Sequence, residues 1–305
     1  MRVLIILCTF NGEAFLKEQL TSLERQTHKN WELLVSDDAS TDKTLSIITE
    51  FQERIGPERV SIINGPCKGH ALNFVSACFH ANPNSDLYAF CDQDDIWKPE
   101  KLETAINNLQ GYSPDTPTLY CSRTELIDEK GAHIGYSRFF PNPPSFSNAV
   151  VQSLAGGNTM VFNKAAKELI QQLKGCTDLV AHDWAMYQLV TGVDGKIIYD
   201  SWASILYRQH SSNMIGSNLG FRARLTRLKM LLGGQMKEWN RRNIECISVV
   251  EDQLCGEASV IYKKFIYLHS HPYRSLLKNP FLRPFYRQTN TGTIALFIGL
   301  LLRRI

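Results

Sequence analysis

Apolar residues in the first hundred positions alternate between continuous runs and helical spacing. Continuous runs predict strands covered on both faces, as in a parallel sheet, and they lie at Val3–Thr9, 33–35, 60–63 and Leu87–Cys91. The intervening segments repeat apolar residues every three or four positions, which predicts three helices. The first carries Leu16, Leu20 and Leu23, and the third covers residues 71–80. The second carries Leu45, Ile48 and Phe51 and follows the capping residues Ser40, Thr41 and Asp42. Repeated strand–helix units predict an α/β fold with a mostly parallel open sheet flanked by helices.

The pattern is less regular after residue 110. Residues 111–150 are rich in Pro and Gly and predict strands and loops. A second cycle then predicts a strand at 157–162, helices at 164–173 and 182–190, and strands at 196–199 and 205–209. We therefore expect a strand–helix domain over residues 1–216 and a basic helical region over residues 217–305.

The last part of the chain combines apolar and basic residues. Residues 219–268 predict amphipathic helices rich in Arg and Lys, and the apolar residues 294–302 are followed by Arg303 and Arg304. A membrane-spanning helix needs roughly 20 apolar residues, so this stretch fits the surface of a membrane and is too short for a span.

Composition and charge exclude some classes of protein and suggest a partner. With 44% apolar and 21% charged residues, the chain of 305 residues is neither disordered nor a collagen-like or coiled-coil rod. Its net charge of +3 conceals an uneven distribution, because residues 1–216 hold 18 Lys and Arg against 25 Asp and Glu, whereas residues 217–305 hold 15 against 5. A basic end of this kind fits an anionic partner such as a membrane surface or a nucleic acid.

The cysteines and the first residues indicate a cytoplasmic protein. The eight cysteines form no CxxC pair and several lie in apolar runs, so buried thiols are expected instead of disulfides. The first apolar run is short for a signal peptide, and Asn11 and Gly12 stand where a small-residue cleavage site would be.

Small polar residues follow the first two predicted strands. The first strand leads into Thr9 and Asn11, and the second leads into Asp37 and Asp38. The chain has no GxxxxGK[ST] loop and no GxGxxG after the first strand. Carboxyl ends of neighbouring strands form the ligand crevice of an open α/β sheet, so these residues fit a ribose or a base. A simple turn and a helix cap explain them equally well.

The fourth predicted strand runs into three carboxylates in four residues, Asp92, Asp94 and Asp95. Such carboxylates repel one another unless a cation lies among them, and hard oxygen ligands favour Mg²⁺ or Mn²⁺. The alternative is a solvated acidic loop before the next helix. An apolar strand that leads directly into the cluster favours the metal site.

Two later segments offer further reactive groups. Asp183 begins a predicted helix, where it would serve as a general base, as a metal ligand together with His182, or only as a helix cap. Arg208 and His210 end another strand, where Arg208 would meet a phosphate and His210 would add a metal ligand.

These segments in this order resemble the inverting family 2 glycosyltransferases of the GT-A fold. The resemblance covers about residues 1–215 and rests on residues 9–12, residues 35–42, Lys68-Gly69 with Asn73-Phe74, residues 92–95 and His182-Asp183. The Asp-Gln-Asp-Asp form, the His182-Asp183-Trp184 helix and residues 207–210 with Asn213 are similar to the rhamnosyltransferase-like branch of bacterial surface polysaccharide biosynthesis. Two positions depart from the common family pattern: His182 replaces a Glu, and Ala39 replaces a Gly.

The resemblance implies a role for each candidate residue. The nucleotide-sugar donor would be held by Thr9, Asn11, Asp37, Asp38, Lys68, Asp92, Gln93 and Arg208. Mn²⁺ or Mg²⁺ would be held by Asp94 with Asp92 and His210. Asp183 would be the catalytic base, and the acceptor side would be lined by Gly156, Gly157, Asn158, Asp95 and Trp184.

The implied function is metal-dependent, inverting transfer of a sugar to a hydroxyl of a lipid-linked saccharide in O-antigen or capsule synthesis. The resemblance favours dTDP-rhamnose as donor, followed by a UDP-hexose. The basic end would hold the enzyme on the inner face of the cell membrane, and no nucleic acid is expected as a partner. Two alternatives stay open at this stage: a His-Asp metal phosphohydrolase, although the other histidines show no ligand pattern, and a non-catalytic nucleic-acid-binding protein.

Overall fold

The computed structural model describes residues 1–210, 233–271, 284–302 and 304. The strands are β1 Val3–Thr9, β2 Trp31–Asp37, β3 Val60–Asn64, β4 Leu87–Cys91, β5 Ile96–Trp97, β6 Thr118–Ile127, β7 His133–Tyr136, β8 Val161–Asn163 and β9 Lys196–Arg208. The helices are α1 Leu16–Glu24, α2 Thr44–Ile55, α3 His70–His80, α4 Lys101–Leu109, α5 Phe146–Ala149, α6 Lys164–Gln171, α7 His182–Gly192, α8 Gln235–Ser248, α9 Gly256–Ser270 and α10 Asn290–Leu301.

The strands of the described residues form one sheet in the order β3-β2-β1-β4-β8-β6-β9-β5, with β7 paired to β6. The first four strands are parallel, which confirms the predicted open α/β sheet for this half. In the second half, β8 pairs antiparallel with both β4 and β6, while β9 is parallel to β6. The sheet is therefore mixed, and its parallel part is covered by helices on both faces.

The strand order switches between the parallel neighbours β1 and β4. Strands β2 and β3 lie on one side of β1, and β4 lies on the other. Ligands of open α/β sheets bind at the carboxyl edge beside such a switch in strand order. The structure thus brings the residues that follow β1, β2 and β4 to one edge.

Apolar residues on both faces of the sheet bury this parallel half. Leu4, Ile6 and Cys8 face the core beneath α3, α6 and α7, whereas Val3, Ile5 and Leu7 face the core beneath α1, α2 and α4. Alternate residues of one strand therefore enter opposite cores, which explains the continuous apolar run in the sequence.

Three predicted details were wrong. Residues 157–162 do not form one strand, because Gly157–Thr159 is a 3-10 turn and β8 begins at Val161. The two strands predicted at 196–199 and 205–209 are one strand, β9, in which the pairing with β6 shifts register near Asp200, whose carboxylate accepts bonds from Tyr120 Oη and Trp202 N. Leu45 does not face the core, since 43% of it is exposed.

The C-terminal helices pack on the strand–helix domain. Residues of α8, α9 and α10 share a core with Phe146, Val150 and Val151, beside α5. Within the described residues, no helix is long and apolar enough to cross a membrane. The predicted boundary at residue 216, Asn213, Arg303 and the parts of the predicted helical region at 217–232 and 272–283 lie outside the described residues.

Candidate active site

The ends of β1 and β2 are joined by buried polar side chains. Thr9 Oγ1 donates to Asp37 Oδ2 over 2.7 Å, and Asp37 accepts two further bonds from the backbone N and the hydroxyl of Ser40. These bonds satisfy the Asp37 carboxylate within the protein. The predicted donor residues Thr9 and Asp37 therefore shape the edge of the crevice, and Asp37 acts chiefly by ordering the loop after β2.

Asp38 orders the loop between β3 and α3. Its two carboxylate oxygens accept the backbone N–H groups of Cys67 (2.7 Å) and Gly69 (3.1 Å). Lys68, the predicted base or phosphate contact, lies between these two residues and is exposed. Asp38 thus holds the loop that carries Lys68 at the carboxyl edge of the sheet.

Asn11 and Gln93 connect neighbouring loops of the crevice. Asn11 has a left-handed backbone (φ 48°), and its Oδ1 accepts the backbone N–H of Thr41 over 2.8 Å. The Gln93 side-chain amide bonds to both the N–H and the carbonyl of Phe10, over 2.9 and 3.0 Å. These contacts join the loops after β1, β2 and β4, which carry the residues predicted to bind the nucleotide-sugar donor.

Asp92, Asp94 and Asp95 lie together after β4, with their nearest ligand oxygens within 4.8 Å of one another. Burial and the charge of Asp92 raise the pKa of the Asp94 carboxyl, and burial raises the pKa of Asp95 well above its ordinary value. Burial and the neighbouring negative charges both disfavour the ionised forms of Asp94 and Asp95, and a hard divalent cation would offset that cost. The donor set therefore fits Mg²⁺ or Mn²⁺.

The three carboxylates differ in their surroundings. The side chains of Asp92 and Asp94 are 22% and 21% exposed, so they can reach a ligand in the crevice. Asp95 is fully buried, and its oxygens accept bonds from Asn158 Nδ2 and the backbone N–H of Arg208. Asp95 is therefore the buried member of the cluster, and its bond to Asn158 connects the cluster to the predicted acceptor side.

His210 and Arg208 reach the cluster from the end of β9. His210 Nε2 lies 2.8 Å from Asp94 Oδ2, which places the imidazole beside the candidate metal ligands as predicted. The Arg208 guanidinium is 1% exposed and donates to Glu18, to Glu129 O and to Asp94 O. These contacts argue against the predicted phosphate contact and make Arg208 a support for the acidic loop.

Asp183 lies at the start of α7 with its carboxylate oriented by two backbone donors. Oδ2 accepts the N–H of Gly157 over 3.1 Å, and Oδ1 accepts the N–H of Trp184 over 2.5 Å. Burial raises the pKa of Asp183 to about 6, and the negative charge of Asp92 contributes. A carboxylate with this pKa is ionised at neutral pH and is a stronger base than an exposed Asp.

His182 is a buried neutral residue. Its ring stacks on Phe74 with centroids 4.0 Å apart and meets Phe90 edge-on. Burial lowers the pKa of His182 to about 3, so the imidazole stays uncharged. This environment gives His182 a packing role beside Asp183.

The predicted acceptor residues divide into two groups. Gly157 and Asn158 contact Asp183 and Asp95 directly, with Gly156 at the start of the same turn. Trp184 is only 5% exposed, donates its indole N–H to Ala149 O and packs edge-on against Trp239. The buried position argues against an acceptor contact for Trp184 and assigns it to packing between α7 and α8.

Sequence reasoning did not include His70 in the site. His70 is the first residue of α3, and its Nε2 lies 3.2 Å from Asp92 Oδ1. Although burial alone would raise the pKa of Asp92, the bond to His70 keeps it below its ordinary value. A signal was present, because His70 follows the third strand end directly after Lys68 and Gly69.

Comparison with known proteins identifies the family. The sequence model described as Glycosyl transferase family 2 matches residues 4–170, more than half of the chain. The chain belongs to this family. The class of enzyme is therefore a glycosyltransferase, in place of the phosphohydrolase that the His-Asp pair had left open.

Two named relatives of this family 2 glycosyltransferase match different shares of the chain. It is 30% identical over 256 residues to the dTDP-rhamnosyl transferase RfbG of Shigella flexneri, a match that covers 79% of this chain and 83% of that protein. It is 37% identical over 108 residues to the UDP-Glc:alpha-D-GlcNAc-diphosphoundecaprenol beta-1,3-glucosyltransferase WfgD of Escherichia coli, covering 35% of this chain and 40% of that one.

Solved structures confirm the GT-A fold of this family 2 glycosyltransferase. S. aureus TarS in complex with UDP matches with a TM-score of 0.56 at 13% identity, covering 100% of this chain and 89% of that one. The mannosyltransferase PcManGT from Pyrobaculum calidifontis, in complex with GDP-Man and Mn²⁺, matches with a TM-score of 0.50 at 17% identity, covering 98% and 87%. At these identities the likeness concerns the fold alone.

Proposed function

We propose that this family 2 glycosyltransferase carries out metal-dependent, inverting sugar transfer with Asp183 as the base. The observation that carries the proposal is the division of the site's four carboxylates into two groups. Asp92, Asp94 and Asp95 form a cluster suited to a cation, whereas Asp183 is held separately by Gly157 at the start of α7. One group suits the donor diphosphate and the other suits an acceptor hydroxyl.

Each group has a distinct part in the proposed reaction. Asp183 accepts the proton of the acceptor hydroxyl, and the N–H groups of Gly157 and Trp184 keep its carboxylate oriented while it does so. Asp92 and Asp94, with His210 beside them, would hold a divalent ion, which would supply charge neutralisation for a departing nucleoside diphosphate. Because the leaving group needs no proton, a single base is sufficient, and in-line attack inverts the anomeric centre.

The proposed donor is dTDP-rhamnose, with a UDP-hexose as second candidate, and the proposed acceptor is a lipid-linked saccharide of surface polysaccharide (O-antigen or capsule) synthesis. The name of RfbG, which matches most of the chain, supports rhamnose. The name of WfgD, a shorter match, supports a diphosphoundecaprenol-linked acceptor and a UDP-linked donor.

A screen of nucleotide sugars by thermal shift tests the donor. With Mn²⁺ present, dTDP-rhamnose should raise the Tm by several degrees at concentrations well above its Kd, because ligand binding stabilises the folded state by mass action. UDP-glucose and GDP-mannose serve as matched comparisons at equal concentration. A larger shift with UDP-glucose would move the assignment to a UDP-hexose, and phosphate release without sugar transfer to any acceptor would contradict the proposed function.

The proposal also places the enzyme on the inner face of the cell membrane as a peripheral protein. Ile294, Ile298 and Leu301 lie on one face of α10 and are 58%, 46% and 56% exposed, while Leu296 and Leu300 face the core. The surplus of basic residues over 217–305 complements anionic lipid headgroups. An exposed apolar stripe in a region of the chain with surplus basic residues supports docking at an anionic membrane surface.

Vesicle cosedimentation tests this location. Replacing Ile294, Ile298 and Leu301 together with Ser should weaken binding to vesicles containing anionic phospholipid by about tenfold or more, since three exposed apolar side chains no longer enter the lipid. Val260→Ser on α9, where Val260 is 52% exposed, is the matched control. Equal binding of the triple variant and the control would overturn the membrane assignment to α10.

A further inference from the structure

Lys101 is a buried cation that the proposed mechanism does not use. It is the first residue of α4 and is 0% exposed. Its Nζ lies 3.8 Å from the centre of the Trp97 ring and donates a hydrogen bond of 2.6 Å to the backbone carbonyl of Asn158. Burial of a lysine is costly, and burial here lowers the pKa of Lys101 to about 7. A residue kept at such a cost invites a functional explanation.

The segment that Lys101 contacts connects the two carboxylate groups of the site. Gly157 N donates to Asp183 Oδ2, and Asn158 Nδ2 donates to Asp95 Oδ2 over 2.6 Å. We call the adjacent residues Gly157 and Asn158 the strap. Gly157 holds the proposed base Asp183, and Asn158 holds Asp95 of the acidic cluster. Any movement of the strap changes the position of Asp183 relative to Asp95.

The strap is also confined by His182 and by the turn to which it belongs. The His182 ring lies against Gly157 so closely that a Cβ at Gly157 would collide with Nε2. Thr159, which follows the strap, is buried and donates its hydroxyl to Gly156 O, so the turn is also closed internally. With His182 on one side and the Lys101 ammonium on the Asn158 carbonyl, the strap has little freedom to shift.

We propose that Lys101 is a positioning residue that, through the strap, holds the Asp183 carboxylate in register with the acidic cluster. This inference rests on the proposed function, since it assigns a purpose to the fixed distance between the base and the donor site. Lys101 itself touches neither substrate. Its contribution is geometric: a misplacement of reacting groups by about 1 Å can cost on the order of a hundredfold in rate.

The test compares Lys101→Met with Lys167→Met. Met approximates the apolar stem of Lys up to Cε and removes the amino group. Lys167 is a matched control, because it is 2% exposed and its Nζ lies 4.6 Å from the Tyr88 ring, near the amino end of β4 and away from the strap. Both variants lose a buried ammonium over an aromatic ring, but only Lys101→Met releases the strap.

We expect Lys101→Met to lower kcat for transfer by about ten- to a hundredfold, with the Kd for the nucleotide-sugar donor within about twofold of wild type. The pH dependence of kcat should change as well. Displacement of the strap should weaken the hydrogen bond from Gly157 N, which lowers the pKa of Asp183, so the acidic part of the pH profile should move to higher pH. Lys167→Met should retain the wild-type pH profile.

Several outcomes would overturn the inference. One is an unchanged kcat with an unchanged pH profile in Lys101→Met. Another is the same decrease of kcat in both lysine variants. The third is an equal loss of donor binding and turnover in Lys101→Met. If Lys101→Met does not fold, Asn158→Ala removes only the link to Asp95, and the same pattern of kcat and donor Kd is required of it. Failure of the proposed function is distinguishable, because wild-type enzyme would then show no transfer.

Discussion

Asp183→Asn is expected to lower kcat for sugar transfer between about a hundredfold and ten-thousandfold, the range that general base catalysis contributes. The substitution is nearly isosteric, and the Asn carbonyl oxygen can still accept a backbone N–H at the start of α7, where Asp183 is held by Gly157 and Trp184. The amide cannot take a proton from the acceptor. Binding of the nucleotide-sugar donor should therefore survive, as measured by calorimetry with Mn²⁺.

The pH dependence of the wild-type enzyme gives the same prediction a second readout. Asp183 must be ionised to act as a base, and its pKa is raised to about 6. The rate of transfer should accordingly increase with pH, reach half of its maximum at about pH 6 and level off about one pH unit higher. In Asp183→Asn, this acidic limb should disappear from whatever activity remains.

Asp178→Asn provides the control for the base. Asp178 lies in the loop before α7 and forms ion pairs with Arg241 and Arg242 at the surface of α8. Exposed ion pairs contribute little to stability, so this variant should keep nearly wild-type turnover. A parallel loss of donor binding and turnover in Asp183→Asn would contradict the assignment of Asp183 as base.

Asp94→Ala is expected to abolish the dependence of nucleotide binding on Mn²⁺ or Mg²⁺. Asp94 is partly exposed at the acidic cluster, and its Oδ2 lies 2.8 Å from His210 Nε2. Removing it leaves two carboxylates, of which Asp95 is already bonded to Asn158 and Arg208. Transfer should decrease by about a hundredfold or more, because charge on the departing diphosphate is no longer neutralised.

The measurement is donor affinity with and without Mn²⁺, and EDTA added to wild-type enzyme should reproduce the behaviour of the variant. Asp115→Ala, an exposed carboxylate in the loop after α4, is the control for removing one negative charge. If Asp94→Ala still shows the wild-type gain in affinity with Mn²⁺, the metal site is misassigned.

Much of the site could be predicted because parallel strands place their carboxyl ends at one edge. The residues after β1, β2 and β4 are far apart in the chain, yet a strand–helix pattern alone predicts that they meet. Thr9, Asp38 and Asp92 all lie at that edge in the structure. The order of these segments was also sufficient for the resemblance that the family match confirms.

Other parts of the site depend on contacts that no local pattern encodes. Lys101 has the appearance of an ordinary surface lysine in the sequence, and only packing of α4 beneath the Gly157–Thr159 turn buries it against Asn158. Trp184 and Arg208 were assigned to ligands from their position beside motif residues. Both side chains instead point into the protein. The Trp184 indole N–H donates a hydrogen bond to Ala149 O, and the Arg208 guanidinium donates one to Glu18.

The sequence by itself determined the alternation of strands and helices, the acidic residues at strand ends and the resemblance to a family of enzymes. These features depend on residue order and on the period of apolar positions, which are local properties. Only the tertiary structure decided that Asp92 and Asp94 are partly exposed, that Asp95 is bonded to the strap, and how the Asp183 carboxylate is oriented. Those properties arise from side chains distant in sequence, such as Lys101 and Asn158 or Asp95 and Arg208, whose contacts exist only once the sheet and helices have packed.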